Sequence, residues 1–135
     1  MLWTNWQRFA EMTSNPAPSR KGVYQIRATA ENGTPKTIRR ACEDDSDGIL
    51  YIGEGNLCGR IGYLLEIVRE DCEPKGHRKS FTPSFARYGL KRICDRRLLE
   101  VRWMECENCK AEEKQLLEAY KVRTGDIPPA NLRLC

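Results

Sequence analysis

The sequence contains no long hydrophobic run. Its longest apolar cluster, residues 64–68, is interrupted by Glu66 and is far shorter than the roughly 20 apolar residues that a membrane-spanning helix needs. Internal repeats and low-complexity segments are also missing, and 135 residues is the length of one domain. These absences argue against an integral membrane protein and a repeat array. We expect a soluble single domain with no membrane partner.

The sequence also lacks a regular cysteine framework. Its seven cysteines form an odd, unevenly spaced set, and no signal peptide precedes them. We therefore expect a cytoplasmic protein with reduced thiols. Cys106 and Cys109 have the C-x-x-C spacing of zinc ligands, but a second such pair is missing. Two interpretations remain, a structural zinc completed by distant cysteines and a pair of free thiols, and the missing partners favour the thiols.

Charge of one sign does not dominate this sequence, and histidine is nearly absent. The 23 Lys and Arg residues stand against 19 Asp and Glu, which gives a formal net charge of +4. This balance is compatible with a nucleic-acid partner, but it is common in proteins that have none. The single histidine, His77, lies in a basic segment and is either an ordinary exposed side chain or a proton carrier.

Hydrophobic spacing predicts a small α/β (α+β) domain. Strands are expected at 22–28, 37–41, 49–53 and 98–105, and helices at 2–12, from Arg60 for about ten residues, from Thr82, and at 110–123. We expect a central antiparallel or mixed sheet of about three strands, flanked by helices. Residues 1–21 would form an N-terminal helix and linker before a domain at 22–135. The acidic run at 43–48 is interpreted as a solvated loop.

Two charged residues occupy unusual positions in the predicted helices. Arg60 begins a helical pattern, although the amide dipoles at a helix start favour acidic side chains. It is either a surface residue or part of an anion site, because a guanidinium beside helix-start amides suits phosphate oxygens. Glu113 has Leu116, Leu117 and Tyr120 at i+3, i+4 and i+7, so its carboxylate lies in an apolar stripe. It is either one half of an ion pair or a ligand for a magnesium-like cation.

Two tyrosines lie on neighbouring predicted strands. The alternation within 22–28 places Tyr24 on one face together with Ile26 and Ala28. If the strands at 22–28 and 49–53 pair, the hydroxyls of Tyr24 and Tyr51 can lie on one face of the sheet. Tyrosines at such positions are often core residues with solvated hydroxyls, and spacing alone favours that interpretation.

These residues, taken in order, resemble the GIY-YIG nuclease family. "GVY" at 22–24 and "YIG" at 51–53 are followed by "NLCGR" with Arg60, by Glu113 in "EKQLL", and by "PPAN" with Asn131. The similarity covers residues 22–131, and YIG followed by NLxxR is the specific part of the signal. Residues 29–47 would be an insertion between the two motif strands.

The resemblance implies a domain that hydrolyses DNA phosphodiester bonds with one divalent metal, Mg2+ or Mn2+. By analogy Glu113 binds the metal, Arg60 holds the scissile phosphate, and Tyr24 is a general base or positions the water. Tyr51 would complete the phosphate site, and Asn131 would organise it by hydrogen bonds. His77 or a metal-bound water would help Tyr24, whose ordinary pKa is about 10. The alternative is a nucleic-acid-binding or regulatory protein that keeps the fold without cleaving.

DNA contacts are expected from basic residues of the insertion and of the segment after the first motif helix. We predict backbone contacts from Arg39 and Arg40 and from a second basic set, Arg78, Lys79, Arg87, Lys91 and Arg92. A solvated helix face is an equally good interpretation of the second set. Specificity would come from these segments, from a homodimer, or from a protein partner.

Overall fold

The computed structural model describes residues 2–70 and 95–131. The strands are β1 (Gln7–Arg8), β2 (Lys21–Arg27), β3 (Ile49–Asn56) and β4 (Glu100–Glu105). The helices are α1 (Leu57–Glu70) and α2 (Cys109–Thr124), with 3-10 turns at Phe9–Glu11 and Arg96–Leu98. None of the helices within these ranges is long and apolar enough to cross a membrane. The helix expected from Thr82 lies outside the described residues.

The described strands form one antiparallel sheet in the order β1-β4-β2-β3. The α+β class is therefore confirmed, but the sheet has four strands, because part of the N-terminal segment pairs with β4. The central strand β2 pairs with β3 from Lys21 to Arg27 and with β4 from Gly22 to Arg27. A register shift between Ile26 and Arg27 places an extra residue in β3.

Each face of the sheet is covered by one helix. The alternation predicted for β2 is confirmed, because Tyr24, Ile26 and Ala28 share one buried cluster with Leu57 and other apolar residues of α1. Val23 belongs to a cluster on the opposite face that includes Cys109 and Leu116 of α2. Both faces of β2 are therefore buried, and β3 lies at the edge of the described sheet, where the two helices flank it.

The termini of the two helices follow from local hydrogen bonds. Asn56 caps α1, since the Gly59 N–H donates to Asn56 Oδ1 at 3.1 Å. The helix therefore begins at Leu57, and Arg60 lies one turn inside it rather than at its start. At the end of α2, Gly125 adopts φ 89°, and its N–H donates to the Lys121 carbonyl at 2.8 Å. A glycine tolerates this left-handed conformation, which ends the helix.

The helix predicted at 2–12 is wrong. Residues 2–6 have no regular secondary structure, and they are followed by the two-residue strand β1 and a single 3-10 turn. Its tryptophans lie against guanidinium groups of the sheet: Arg27 is 4.3 Å from the Trp6 ring centre, and Arg102 is 4.5 Å from that of Trp3. The three-residue spacing of Trp3 and Trp6 therefore reflects their packing on two arginines of the sheet and not a helical turn.

The insertion contains neither a regular strand nor a fully solvated acidic loop. In the expected strand 37–41, only Ile38 forms a bridge, with Asp45. Asp45 is fully buried, so the interpretation of the acidic run as solvated surface is wrong at this position. Its carboxylate accepts from the N–H groups of Ile49 and Asp47, both at 2.9 Å, and lies 3.4 Å from Arg123. A buried carboxylate with these partners ties the end of the insertion to the start of β3.

Candidate active site at the edge of β3

Tyr24 and Tyr51 come together on one face because β2 and β3 pair antiparallel, as their position on one face requires. Tyr24 lies opposite Gly53, and Tyr51 lies opposite Ile26. The two tyrosine rings have centroids 6.0 Å apart and an interplanar angle of 32°. A Cβ atom at Gly53 would stand 2.5 Å from the Tyr24 hydroxyl oxygen and 2.8 Å from Tyr51 Cε1. The glycine of YIG therefore leaves the space that the tyrosines occupy.

Tyr24 is buried, Tyr51 beside it is half-buried, and both hydroxyls resist ionisation. Burial raises the pKa of Tyr24 well above its ordinary value of 10.0, and the neighbouring Tyr51 raises it further. Burial also raises the pKa of Tyr51. The hydrogen bond between the hydroxyls raises the pKa of Tyr24 but lowers that of Tyr51. Tyr24 is thus a protonated hydrogen-bonding group at neutral pH, and Tyr51 is the member of the pair that yields a proton more readily.

Arg60 reaches this pair from α1. Its side chain is exposed and lies against Gly55, where an added Cβ would stand 2.7 Å from Arg60 Nε. Gly55 has φ 140°, a conformation that favours glycine. A side chain at position 55 would therefore strain the backbone and displace the Arg60 guanidinium. The positive charge of Arg60 lowers the pKa of both tyrosines, which places the guanidinium within electrostatic range of both hydroxyls.

Glu113 reaches the pair from α2. The predicted stripe is present: Glu113 is half-buried, Leu116 and Leu117 pack on the sheet, and Tyr120 is buried. The negative charge of Glu113 raises the pKa of both Tyr24 and Tyr51. A second carboxylate, Glu54 in β3, also raises the pKa of Tyr51. Glu54 was not among the predicted site residues. Its position directly after YIG was the available signal.

Asn131 contacts the strand that carries Tyr51 and Gly53. The Ile52 N–H donates to Asn131 Oδ1 at 2.9 Å, and Asn131 Nδ2 donates to the Ile52 carbonyl at 2.8 Å. The side-chain amide therefore satisfies both outward-facing backbone groups of one residue on the edge strand. Tyr51 and Gly53 are its immediate neighbours, so Asn131 helps to fix the backbone that presents them.

Glu113 has the chemistry of a ligand for a hard divalent cation. Within residues 2–70 and 95–131, no group of three or more His, Cys, Asp and Glu side chains is arranged to hold a metal. A site that binds Mg2+ through one carboxylate, waters and substrate oxygens needs no such group. The half-buried carboxylate, whose charge raises the pKa of both tyrosines, is compatible with this kind of site, in which the substrate supplies several of the oxygens.

Cys106 and Cys109 of the C-x-x-C motif lie together, but the described residues provide no further zinc ligands near them. The Sγ atoms of Cys106 and Cys109 are 3.1 Å apart, and both residues are buried. Burial and the neighbouring Cys109 raise the pKa of Cys106 to about 12. Zinc binds thiolates, and the described part of the chain contributes no third ligand.

The predicted DNA contacts differ in their accessibility. Arg39 is exposed, but the side chain of Arg40 is only 12% exposed and lies 3.0 Å from Asp126. Among other basic residues, Arg97 is exposed and pairs with Asp95 at 2.7 Å, which lowers the pKa of that carboxyl to about 2. The remaining predicted residues lie outside the described ranges, namely His77, Arg78, Lys79, Arg87, Lys91 and Arg92.

A cavity of about 620 Å³ lies between the N-terminal segment and the turn at 31–33, and Trp6, Arg8 and Glu100 are among its lining residues. None of the candidate site residues lines it, so this cavity lies apart from the tyrosine pair.

Comparisons of the chain with protein-family models, curated proteins and solved structures found no match. Assignment to a family therefore depends on the residues of the candidate site.

Proposed function

We propose that this chain is a metal-dependent DNA endonuclease of the GIY-YIG type, which hydrolyses phosphodiester bonds with Mg2+ or Mn2+. One observation carries the proposal: the buried Tyr24 and the half-buried Tyr51 meet beside Gly53 of β3, and the charges of a guanidinium and a carboxylate from separate helices shift the pKa of both. Residues 24, 51, 60 and 113 are distant in sequence, and a merely structural role for each does not require that they converge.

In this function Arg60 holds the scissile phosphate. Its exposed guanidinium stands over Gly55 with no ion pair among the described residues, so its donors are accessible to a substrate. A planar guanidinium binds two phosphate oxygens at once, and it offsets the charge that builds on them during displacement. The neighbouring hydroxyls extend the same surface with uncharged donors.

The tyrosines act by hydrogen bonding in the resting protein. Because burial raises the pKa of Tyr24, this residue positions a water or a phosphate oxygen more readily than it removes a proton. Of the two roles expected for Tyr24, water positioning therefore has the better support. Glu113 would hold the metal, which supplies a Lewis acid and a more acidic bound water.

The test is cleavage of DNA by the purified protein and two matched variants. Supercoiled, linear, branched and single-stranded DNA are incubated with the protein, with and without Mg2+ or Mn2+. Glu113→Gln removes the carboxylate with little change in shape, and we expect the rate to fall at least about a hundredfold. Glu118→Gln, an exposed residue of the same helix, is the control and should cleave like the wild type.

Each outcome distinguishes the proposal from its alternative. Binding of DNA by all three proteins with no metal-dependent cleavage would support a non-cleaving nucleic-acid-binding protein instead. Full activity of Glu113→Gln at saturating metal would show that another group holds the cation.

A further inference from the structure

The inference concerns Arg40, a basic residue of the insertion whose guanidinium faces inward. One terminal nitrogen, Nη2, donates to the Ile127 carbonyl at 2.9 Å and lies 3.0 Å from the Asp126 carboxylate. Its Nε is buried and has no hydrogen-bond partner among the described residues. Burying a guanidinium with an unsatisfied donor is costly, so the side chain is not placed as a solubilising surface charge.

The insertion contacts the end of α2 at three further points. The Cys42 N–H donates to the Thr124 carbonyl at 2.8 Å. A Cβ atom at Gly125 would stand 2.6 Å from Cys42 Sγ, so the insertion packs directly on the turn that ends the helix. The buried Asp45 pairs with Arg123 at 3.4 Å. Together with Arg40, these contacts hold the end of α2 and the start of the segment that follows it.

That segment, residues 125–131, runs along the outer edge of β3. The Ala130 N–H donates to the Leu50 carbonyl at 2.8 Å, and Asn131 pairs with both backbone groups of Ile52. Leu50 and Ile52 are the residues on either side of Tyr51. A shift of residues 125–131 parallel to β3 would move Ala130 and Asn131 away from Leu50 and Ile52. The alignment of this segment with β3 therefore decides whether these hydrogen bonds form.

We propose that Arg40 is a positioning residue: by clamping Asp126 and Ile127 it sets the register of residues 125–131 on β3, and thereby the orientation of Tyr51. The link to catalysis rests on the proposed nuclease function, whereas the clamp itself does not. The insertion is then a brace for the catalytic strand at Arg40 and a substrate-facing surface only at exposed residues such as Arg39.

The experiment compares Arg40→Ala with Arg39→Ala, which removes the same charge from the adjacent exposed position. Hydrogen exchange is measured at the Ile52 amide, with the Ile26 amide of the central strand as an internal reference. We expect the Ile52 amide to exchange at least about tenfold faster in Arg40→Ala, with Ile26 unchanged, because the weakened clamp lets the Asn131 bond open. Arg39→Ala should leave both amides unchanged.

A second variant guards against general unfolding. Asp126→Asn removes the ion pair at a side chain that is 58% exposed, so it leaves no cavity, and it should accelerate exchange at Ile52 in the same direction. In cleavage assays Arg40→Ala should lower kcat with little change in KM, and Arg39→Ala should raise KM with little change in kcat.

The outcomes separate this proposal from the proposed function. Unchanged Ile52 exchange in both Arg40→Ala and Asp126→Asn would overturn the positioning role, whether or not the protein cleaves DNA. A raised KM with normal kcat in Arg40→Ala would return this residue to the DNA surface. If the wild type does not cleave, the nuclease proposal fails, and faster Ile52 exchange still supports the clamp.

Discussion

The proton of Tyr24 is held in place by the fold. Desolvation of a phenolate costs more than the nearby Arg60 recovers, so the pKa of the hydroxyl moves upward. A bound divalent cation would act in the opposite direction, because it adds positive charge beside Glu113. The same tyrosine can therefore serve as a donor in the resting protein and be closer to ionisation when the site is loaded.

The raised pKa predicts how stability depends on pH. Below about pH 9 both the folded and unfolded states keep the Tyr24 proton, so this residue causes no pH dependence. Above about pH 10 the unfolded state loses the proton while the folded state keeps it, and the free energy of unfolding falls by about 1.4 kcal/mol per pH unit for each such tyrosine. Tyr24→Phe removes one of these groups, so its stability should fall less steeply between pH 10 and 11.

Urea unfolding followed by tryptophan fluorescence from pH 7 to pH 11 measures this difference. The comparison with the wild type removes the contribution of lysines, which titrate in the same range. The two proteins should show parallel stability from pH 7 to pH 9. Parallel curves above pH 10 would contradict the raised pKa of Tyr24.

At the scale of elements, the edge strand β3 depends on the glycine of its YIG motif. A methyl group at position 53 would meet the ends of both tyrosine rings, which can swing away more easily than backbone can. We therefore expect Gly53→Ala to cost only about 1 kcal/mol of stability but to lower cleavage at least about tenfold, since the hydroxyls must move. Thermal unfolding and cleavage rates on the same samples test this separation.

Gly59→Ala is the matched control for that substitution. Gly59 lies in the first turn of α1, and the nearest atom to its added Cβ is Asn56 Oδ1, at an ordinary 3.8 Å. Alanine should stabilise the helix by up to about 1 kcal/mol, with no loss of cleavage. Equal activity of the Gly53 and Gly59 variants would contradict the steric role of Gly53.

The predicted elements succeed where one period dominates a segment. β2 is rich in strand-forming residues and places Tyr24, Ile26 and Ala28 on one face, and α2 has apolar residues at helical spacing, so the local pattern predicts both elements. The helix prediction for the N-terminal segment is wrong because the spacing of its two tryptophans is compatible both with a helix and with a non-helical chain that packs on Arg27 and Arg102. Only the long-range contact with the sheet decides between these conformations, and sequence spacing carries no information about it.

At the scale of the whole molecule, the site assembles because the sheet and the two helices meet at one edge. Tyr24, Tyr51, Arg60 and Glu113 were predicted from a resemblance to a family. The β2–β3 register pairs the strands that carry the tyrosines, and the helices on opposite faces carry Arg60 and Glu113. The brace formed by Arg40 was not predicted. Arg39 and Arg40 are adjacent and chemically identical in sequence, and only tertiary packing distinguishes the exposed one from the buried one.

The whole charge distribution bears on how the proposed DNA substrate would be held. The net charge of +4 is small, so binding should depend on where the basic residues lie rather than on their total number. The sequence predicts that Lys91 and Arg92 contact phosphates. Each lost phosphate contact flattens the slope of log affinity against log salt by about 0.9, because fewer counterions are released.

The double variant Lys91→Ala/Arg92→Ala should therefore flatten that slope by up to about 1.8. Lys114→Ala/Lys121→Ala is the matched control, since it removes the same charge from exposed positions of α2. Titrating both variants and the wild type with fluorescent duplex DNA at several salt concentrations gives the three slopes. If both double variants flatten the slope equally, the DNA responds only to net charge. If Lys91→Ala/Arg92→Ala has the wild-type slope, the two residues belong to a solvated face, and the phosphate contacts must come from other exposed basic residues such as Arg60 and Arg39.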